Sequence, residues 1–398
     1  MHGEVVVDAL NLEGPVAHAL YRQLSVCGDS HQGASVVAEC TQLVARANEH
    51  IQARPYNEVT LRHLVLHQLA SIFLAIALVN DSLNLAEALR VLDESLIVSG
   101  FPVQTDACVS AIYATHAALA PVPALPDGLD EQRLTQIPLS LPQHRFPAIR
   151  ELYGGIDALT PEMCRDLADT PFIVRGGCAD WPAVQKWTLR YLLATAGRRL
   201  VPIEIGSTYL QDDWSQSLMP MHEFIHQYVV PQSLQQKSDA KAGYLAQHDL
   251  FRQLPHLRAD VMIPDAAYYF PPVGDDDQDD GQIRLNAWFG PAGTVTPAHH
   301  DGPLRNLFAQ VVGSKRAVLF PPTDGGLLAD QGDDSVLSNS SGVNVRDWSS
   351  ALALRPELAG THGCEVVCQP GDLLYIPPLW WHYLESLSLS FSVSMWWS

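Results

Sequence analysis

The sequence predicts an α+β protein, with a helical module over residues 1–120, a proline-rich linker over 121–147, and a β-sandwich or barrel with flanking helices over 148–398. Three observations carry this. Apolar residues in the first 120 positions recur at intervals of three and four, the period of a helix. Prolines at 121, 123, 126, 138, 142 and 147 disrupt both helix and central strand. Beyond them, short β-branched and aromatic runs alternate with Gly/Pro turns, the pattern of antiparallel sheets.

Taken in order, Val16, Leu20 and Leu24 define one helix, and Val36, Val37, Leu43, Val44 and Ala47 a second after Gly33. A third, strongly apolar helix runs from Thr60 to Val79, is broken by Asn80-Asp81-Ser82, and is followed by a helix over Leu83 to Leu96. Thr105-Asp106 caps a last one that continues through Val109 and Ile112 to Ala120. His63 and His67 lie four apart there, but with apolar neighbours and no carboxylate to join them they read as buried or surface histidines.

In the C-terminal part, strands are predicted at Pro171 to Val174, Val201 to Ile205, Ile283 to Phe289, Gly293 to His299, Leu307 to Val312, Arg316 to Phe320, Glu365 to Val367, Leu373 to Ile376 and Leu389 to Trp396. A helix spans Thr188 to Ala196. Residues 323 to 347, rich in Gly, Asp, Ser and Asn, read as a long insertion, and the aspartates between Gly274 and Gly281 as a solvated loop.

Composition narrows the function. Forty-four acidic against 24 basic residues give a formal charge of −20, which argues against direct binding to nucleic acid or anionic membrane and makes a basic protein or peptide the natural partner. The longest apolar run, Leu69 to Val79, is eleven residues, too short to cross a bilayer. Seven cysteines without regular spacing, and an N-terminus unlike a secretory signal, point to reduced thiols inside the cell, in nucleus or cytoplasm.

The chemistry concentrates in Thr294-Val295-Thr296-Pro297-Ala298-His299-His300-Asp301 and in Gly371-Asp372 through Trp380-Trp381-His382. On a strand, residues two apart share a face, so His299 and Asp301 present a nitrogen and a carboxylate side by side while His300 points away. His382, 81 positions after Asp301, supplies a third ligand from another strand. Two histidines and one carboxylate leave metal positions open, the arrangement of non-haem Fe(II) oxygenases. A competing pattern, His222-Glu223-Phe224-Ile225-His226, matches the H-E-x-x-H of zinc peptidases. Val229 and Gln232 stand where one subclass would continue with Gly and His, and Phe224, Ile225 and Tyr228 suggest a helix packed through its apolar side.

The sequence resembles the JmjC domain of Fe(II)- and 2-oxoglutarate-dependent oxygenases, and more narrowly the Jumonji-domain-containing protein 5 (lysine demethylase 8) group. The resemblance rests on Trp181-Pro182 with Gln185-Lys186-Trp187, Val201 to Ser207, Trp214-Ser215-Gln216, Gly243 to His248, Asn286 to Pro291 and Leu389 to Ser398. It implies a double-stranded β-helix (cupin, jelly-roll) barrel over 148–398, with His299, Asp301 and His382 on iron. It further implies 2-oxoglutarate on Tyr244, Thr296, Asn306 and Lys315, with O₂ as second co-substrate. Glu204, Trp214, Gln247 and Trp288 would line the substrate pocket. A carboxylate, an amide and two indoles suit a guanidinium, so arginyl C-3 hydroxylation is expected ahead of methyl-lysine demethylation of histones. A zinc peptidase through His222, Glu223 and His226, or a catalytically silent binding module, are the remaining alternatives.

Overall fold

The computed structural model describes residues 33–54, 58–82, 84–100, 121–136, 146–206, 214–233, 242–271, 281–329 and 339–398. The helix through Val16, the helix after Asp106, Cys27, Cys108 and the acidic stretch at 274–280 lie outside them. The chain forms two compact units, Met1–Val122 with Arg198–Leu200, and Pro123–Gly197 with Val201–Ser398.

In the first unit, α1 (Gly33–Gln52), α2 (Leu61–Ser82) and α3 (Leu85–Ser99) share one apolar core. Val36 and Cys40 of α1 meet Leu74, Ala75 and Leu78 of α2 and Leu89, Leu92 and Leu96 of α3. Each fully buried leucine there contributes roughly 1.5–3 kcal/mol. The break expected at Asn80-Asp81-Ser82 falls later: the helical backbone runs through Ser82, and Asn84 caps α3 by accepting the Glu87 N–H at 3.2 Å. Gly100, in the left-handed region, ends it. The uninterrupted run Leu69–Val79, expected to be too short to cross a bilayer, lies inside a longer apolar window. Leu61–Val79 is long and apolar enough to cross a membrane by composition, yet α2 supplies part of the three-helix core. His63 accepts the Thr60 N–H on Nδ1 at 3.1 Å, while burial drives His67 down to about 4.

The second unit holds two sheets. Its strands are β1 (Arg150–Leu152), β2 (Phe172–Val174), β3 (Leu200–Ile205), β4 (Ser215–Pro220), β5 (Gly243–His248), β6 (Arg284–Gly290), β7 (Val295–His299), β8 (Arg305–Val312), β9 (Lys315–Phe320), β10 (Cys364–Cys368), β11 (Leu373–Ile376), β12 (Trp381–Ser386) and β13 (Ser390–Trp397). The large sheet runs β1-β2-β11-β8-β13-β6-β5-β3-β4 and the small one β10-β9-β12-β7, the two halves of a cupin jelly roll. Pairing is antiparallel except for β1 with β2, which are parallel. Four strands were not expected: β1, β4, β5 and β12. The β12 segment Trp-His-Tyr-Leu-Glu-Ser follows two prolines and reads as polar, yet every residue in it is buried.

Alternation explains that burial. Ala317 and Leu319 of β9 and Leu384 of β12 face the interior between the sheets, with Tyr244, Trp288 and Phe308. Val318, Phe320, Trp381 and Tyr383 face the other way, where Leu328, Val343 and Val345 of the insertion expected at 323–347, with Trp348 just after it, pack over them. Two turns set the register of the site. Gly313, at φ 64°, leads into β9, and a Cβ there would lie 1.7 Å from the Leu389 carbonyl oxygen. Asp372 accepts hydrogen bonds from Gly176 N, Gln369 N and Arg175, fastening β11 beside β2. Within the expected linker, Asp130 caps the single helical turn Glu131–Leu134.

Candidate metal and co-substrate site

β7 and β12 pair so that His299 and His382 are direct cross-strand partners, with ring centroids 4.2 Å apart. Asp301 is not on the strand as expected; it lies two residues beyond the end of β7, in the turn towards β8. From there its Oδ1 sits 3.5 Å from His299 Nε2 and its Oδ2 3.6 Å from His382 Nε2. The three donor atoms lie within 4.8 Å of one another, close enough to share one metal ion.

Backbone carbonyls set both histidine tautomers. His299 Nδ1 is 2.9 Å from Pro297 O, and His382 Nδ1 3.0 Å from Trp380 O. Only a protonated Nδ1 can donate to a carbonyl, so each Nε2 keeps its lone pair towards Asp301. Burial works against charge on Asp301, but His382, His299 and the Asn306 amide outweigh it and hold the carboxyl at about 2. Burial, helped by His299, lowers His382 to about 4. Burial also opposes charge on His299, but there Asp301 prevails and raises it. At neutral pH the cluster thus offers an ionised carboxylate and a neutral His382, the protonation a divalent metal requires.

Lys315 opens β9 on the interior face. It is 1% exposed, donates from Nζ to Tyr244 Oη at 3.0 Å, and lies over the rings of Tyr244 and Phe308 at 5.4 and 5.3 Å. No carboxylate pairs with it among the described residues, and burial lowers it to about 7. Nearby, Asn306 Oδ1 is buried without a hydrogen-bond partner, and the Thr296 hydroxyl lies beside the Tyr244 phenol. Asn306 gives its Nδ2 to Asp301 Oδ2 at 3.2 Å, so its amide links the metal cluster to the interior. A buried cation without an anion is costly unless a ligand completes it. A small dicarboxylate is the chemistry that would supply the missing anion to Lys315, whereas Asn306 Oδ1, itself an acceptor, calls for a donor.

The expected substrate residues are only partly gathered. Glu204 on β3 is the register partner of Tyr244 on β5 and accepts a hydrogen bond from Trp214; burial raises its carboxyl against that bond. Gln247 is exposed in the β5 bulge at φ 47°. Trp288 is buried, packs near Tyr244 at 6.1 Å, and donates its indole N–H to Ser394 at 2.9 Å, so it is a wall of the interior rather than an open stacking surface. Ser394 was missed; the alternation of Ser390, Ser392 and Ser394 along β13 was the available signal. His300 does point away, edge-on to Trp381 with centroids 4.9 Å apart. In the H-E-x-x-H segment, His222 Nδ1 lies 2.7 Å from Gly197 O, and His226 meets His222 O at 2.7 Å and Ala124 O at 3.0 Å.

Comparison with known proteins bears on the family and the fold. Residues 166–398 match the Cupin-like domain family. The chain is 32% identical to "Lysine-specific demethylase JMJ30" of Arabidopsis thaliana, covering 99% of this chain and 92% of that protein. It is 41% identical to "Lysine-specific demethylase 8" of Xenopus tropicalis over 57% of this chain, and 41% identical to "Jumonji C domain-containing protein 5" of Drosophila melanogaster over 58%. It spans about half the length of those two relatives, 48% and 55%. The chain belongs to the cupin-like JmjC family of Fe(II)- and 2-oxoglutarate-dependent dioxygenases, and within it to the Jumonji-domain-containing protein 5 group.

Proposed function

We propose that the protein hydroxylates C-3 of arginyl residues in basic proteins or peptides, inside the cell, in nucleus or cytoplasm. In this reading His299, Asp301 and His382 hold Fe(II), and Lys315, Tyr244, Thr296 and Asn306 hold 2-oxoglutarate. The observation that carries the choice of substrate is Glu204. It is a half-buried carboxylate directly across the β3–β5 ladder from Tyr244, whose phenol takes the Lys315 ammonium. A guanidinium can give forked hydrogen bonds to Glu204 and lie against Trp214, which already donates to that carboxylate. A methylated ammonium would leave the carboxylate with fewer donors. The net charge of −20 favours a basic chain approaching the site.

When bound, iron, 2-oxoglutarate and O₂ supply the oxidation: one oxygen atom enters the substrate C–H bond, the other enters succinate, and carbon dioxide leaves. The protein's own contribution is positional. Pro297 and Trp380 carbonyls aim the two Nε2 atoms, Asn306 orients Asp301, and Lys315 fixes the far end of the co-substrate in a water-poor interior. The five described cysteines are free thiols, consistent with a reducing compartment.

The names of the Arabidopsis and Xenopus relatives favour a second reading, demethylation of methyl-lysine. Mass spectrometry separates the two. Protein incubated with Fe(II), ascorbate, 2-oxoglutarate and an arginine-rich peptide should yield a product heavier by one oxygen atom, with succinate. A trimethyl-lysine peptide made lighter by a methyl group, with formaldehyde, would replace the first reading by the second.

A further inference from the structure

We propose that Leu379 is a specificity-determining residue of this site, an apolar tip on its rim that takes an aliphatic side chain flanking the target residue of the peptide. The inference rests on the protein-oxygenase reading above and goes beyond it by naming what the site selects next to the oxidised residue.

Two non-glycine residues among those described have positive φ, Gln247 at 47° and Leu379 at 62°. Leu379 occupies the third place of the turn Pro377-Pro378-Leu379-Trp380, closed by Trp380 N donating to Pro377 O at 3.3 Å. Proline in second place and positive φ in third describe a type II turn, whose third place suits glycine. A leucine there costs backbone strain that glycine would not. Burial does not return that cost, because Leu379 is 48% exposed. Neither local preference nor packing accounts for a leucine at this point, whereas a contact with something outside the chain does.

Its place in the fold says what that contact is. The Leu379 N–H donates to Gly302 O at 2.8 Å, fastening the turn to the loop that carries Asp301. The next residue, Trp380, gives its carbonyl to His382 Nδ1. β11 ends at Ile376 opposite Asn306, the residue whose amide reaches Asp301. The turn therefore stands at the end of the roll where the metal donors converge. Leu379 offers a rigid aliphatic group there, already ordered by two prolines and two backbone hydrogen bonds, so little freedom is lost on contact.

The test uses the full chain with Fe(II) and 2-oxoglutarate and two basic peptides that differ only beside the target arginine, leucine in one and aspartate in the other. The native protein should prefer the leucine peptide by about five- to tenfold in kcat/KM, the range expected for one partly buried aliphatic contact. Leu379→Gly, which removes the side chain and the strain together, should bring that preference close to one, and Leu379→Met should keep it. Equal preference in the native protein and Leu379→Gly overturns the inference. So does an equal loss on both peptides, which would assign the turn to metal geometry. Turnover of neither peptide by the native protein is a different result: it removes the arginyl reading, and this inference with it.

Discussion

Two segments of this molecule each carry two histidines and a carboxylate, and among the described residues only one of the two sets converges closely enough to hold a metal. Around His299, Asp301 and His382 each ring gives Nδ1 to a backbone carbonyl and turns a free Nε2 towards the same carboxylate. Around His222, Glu223 and His226 the ring atoms face carbonyls instead, and His226 meets one with each nitrogen, at 2.7 and 3.0 Å. A ring with one nitrogen on a carbonyl and the other turned to a shared carboxylate is an oriented ligand; a ring with both nitrogens against backbone carbonyls is aimed at no such point. What separates ligand from structural histidine is where the second nitrogen points.

The sharpest way to break that comparison is to remove one member from each region. Asp301→Ala or His382→Ala takes away one of three donors, and metal binding and turnover should fall by well over a hundredfold, beyond the 10- to 100-fold typical of residues that only support a ligand. Glu223→Gln and His226→Ala should leave one bound Mn(II) per chain, as counted by metal analysis after gel filtration. Metal lost from His226→Ala would erase the distinction between the two regions.

Next in size is Lys315. Lys315→Met keeps the volume but removes the cation, and the KM for 2-oxoglutarate should rise about a hundredfold, the scale of a buried charge left without its partner. The lowered Lys315 value adds a pH signature. Below about 7 the ammonium is already charged and binding of the dianion needs no proton. Above about 7 the free protein holds a neutral amine, so binding must take up a proton and affinity should decline as pH rises. Calorimetry of 2-oxoglutarate binding to the Mn(II) form, in buffers of different protonation enthalpy, should show uptake near zero at pH 6 and approaching one at pH 8.5. Uptake independent of pH would mean that Lys315 is charged without its ligand.

A smaller effect is expected at Asn306, whose Nδ2 steadies Asp301 at 3.2 Å. Asn306→Ala should weaken metal binding by about tenfold, consistent with loss of a group that orients a ligand. If metal affinity stayed the same and only the KM for 2-oxoglutarate rose, Asn306 would act on the co-substrate through its amide N–H instead of through Asp301.

The parts of the fold legible in the sequence were those governed by local period. The three described helices of the first unit and most strands of the two sheets follow from spacing of apolar residues. β12 was missed because its period is hidden: Trp381 and Tyr383 face the covering insertion while His382 and Leu384 face the interior, so both faces are buried and nothing alternates with water. The Asp301 carboxylate was anticipated on a strand face, yet a turn beyond the strand end brings it to the same two histidines. The partners that decide function are less legible still. The Trp380 carbonyl on His382, the Ser394 hydroxyl on Trp288 and the absence of a carboxylate near Lys315 among the described residues depend on tertiary register.

The smallest expected effect is the most direct check on that register. His300 sits between two ligands in sequence, but its ring meets the edge of Trp381 at 4.9 Å, its Nδ1 accepts the Gly302 N–H at 3.2 Å, and its backbone pairs with Asn339. These contacts lie on the outer side of β7, under the insertion. His300→Ala should therefore leave metal binding intact and cost about 1 kcal/mol of stability through the lost ring contact. A one-residue slip of β7 against β12 would exchange the roles of neighbouring side chains, turning His300 inward and His299 out. Thermal melting with and without Mn(II) distinguishes the two: a modest drop in melting temperature with the metal-induced increase preserved fits the observed register, and loss of that increase would mean the strands pair differently.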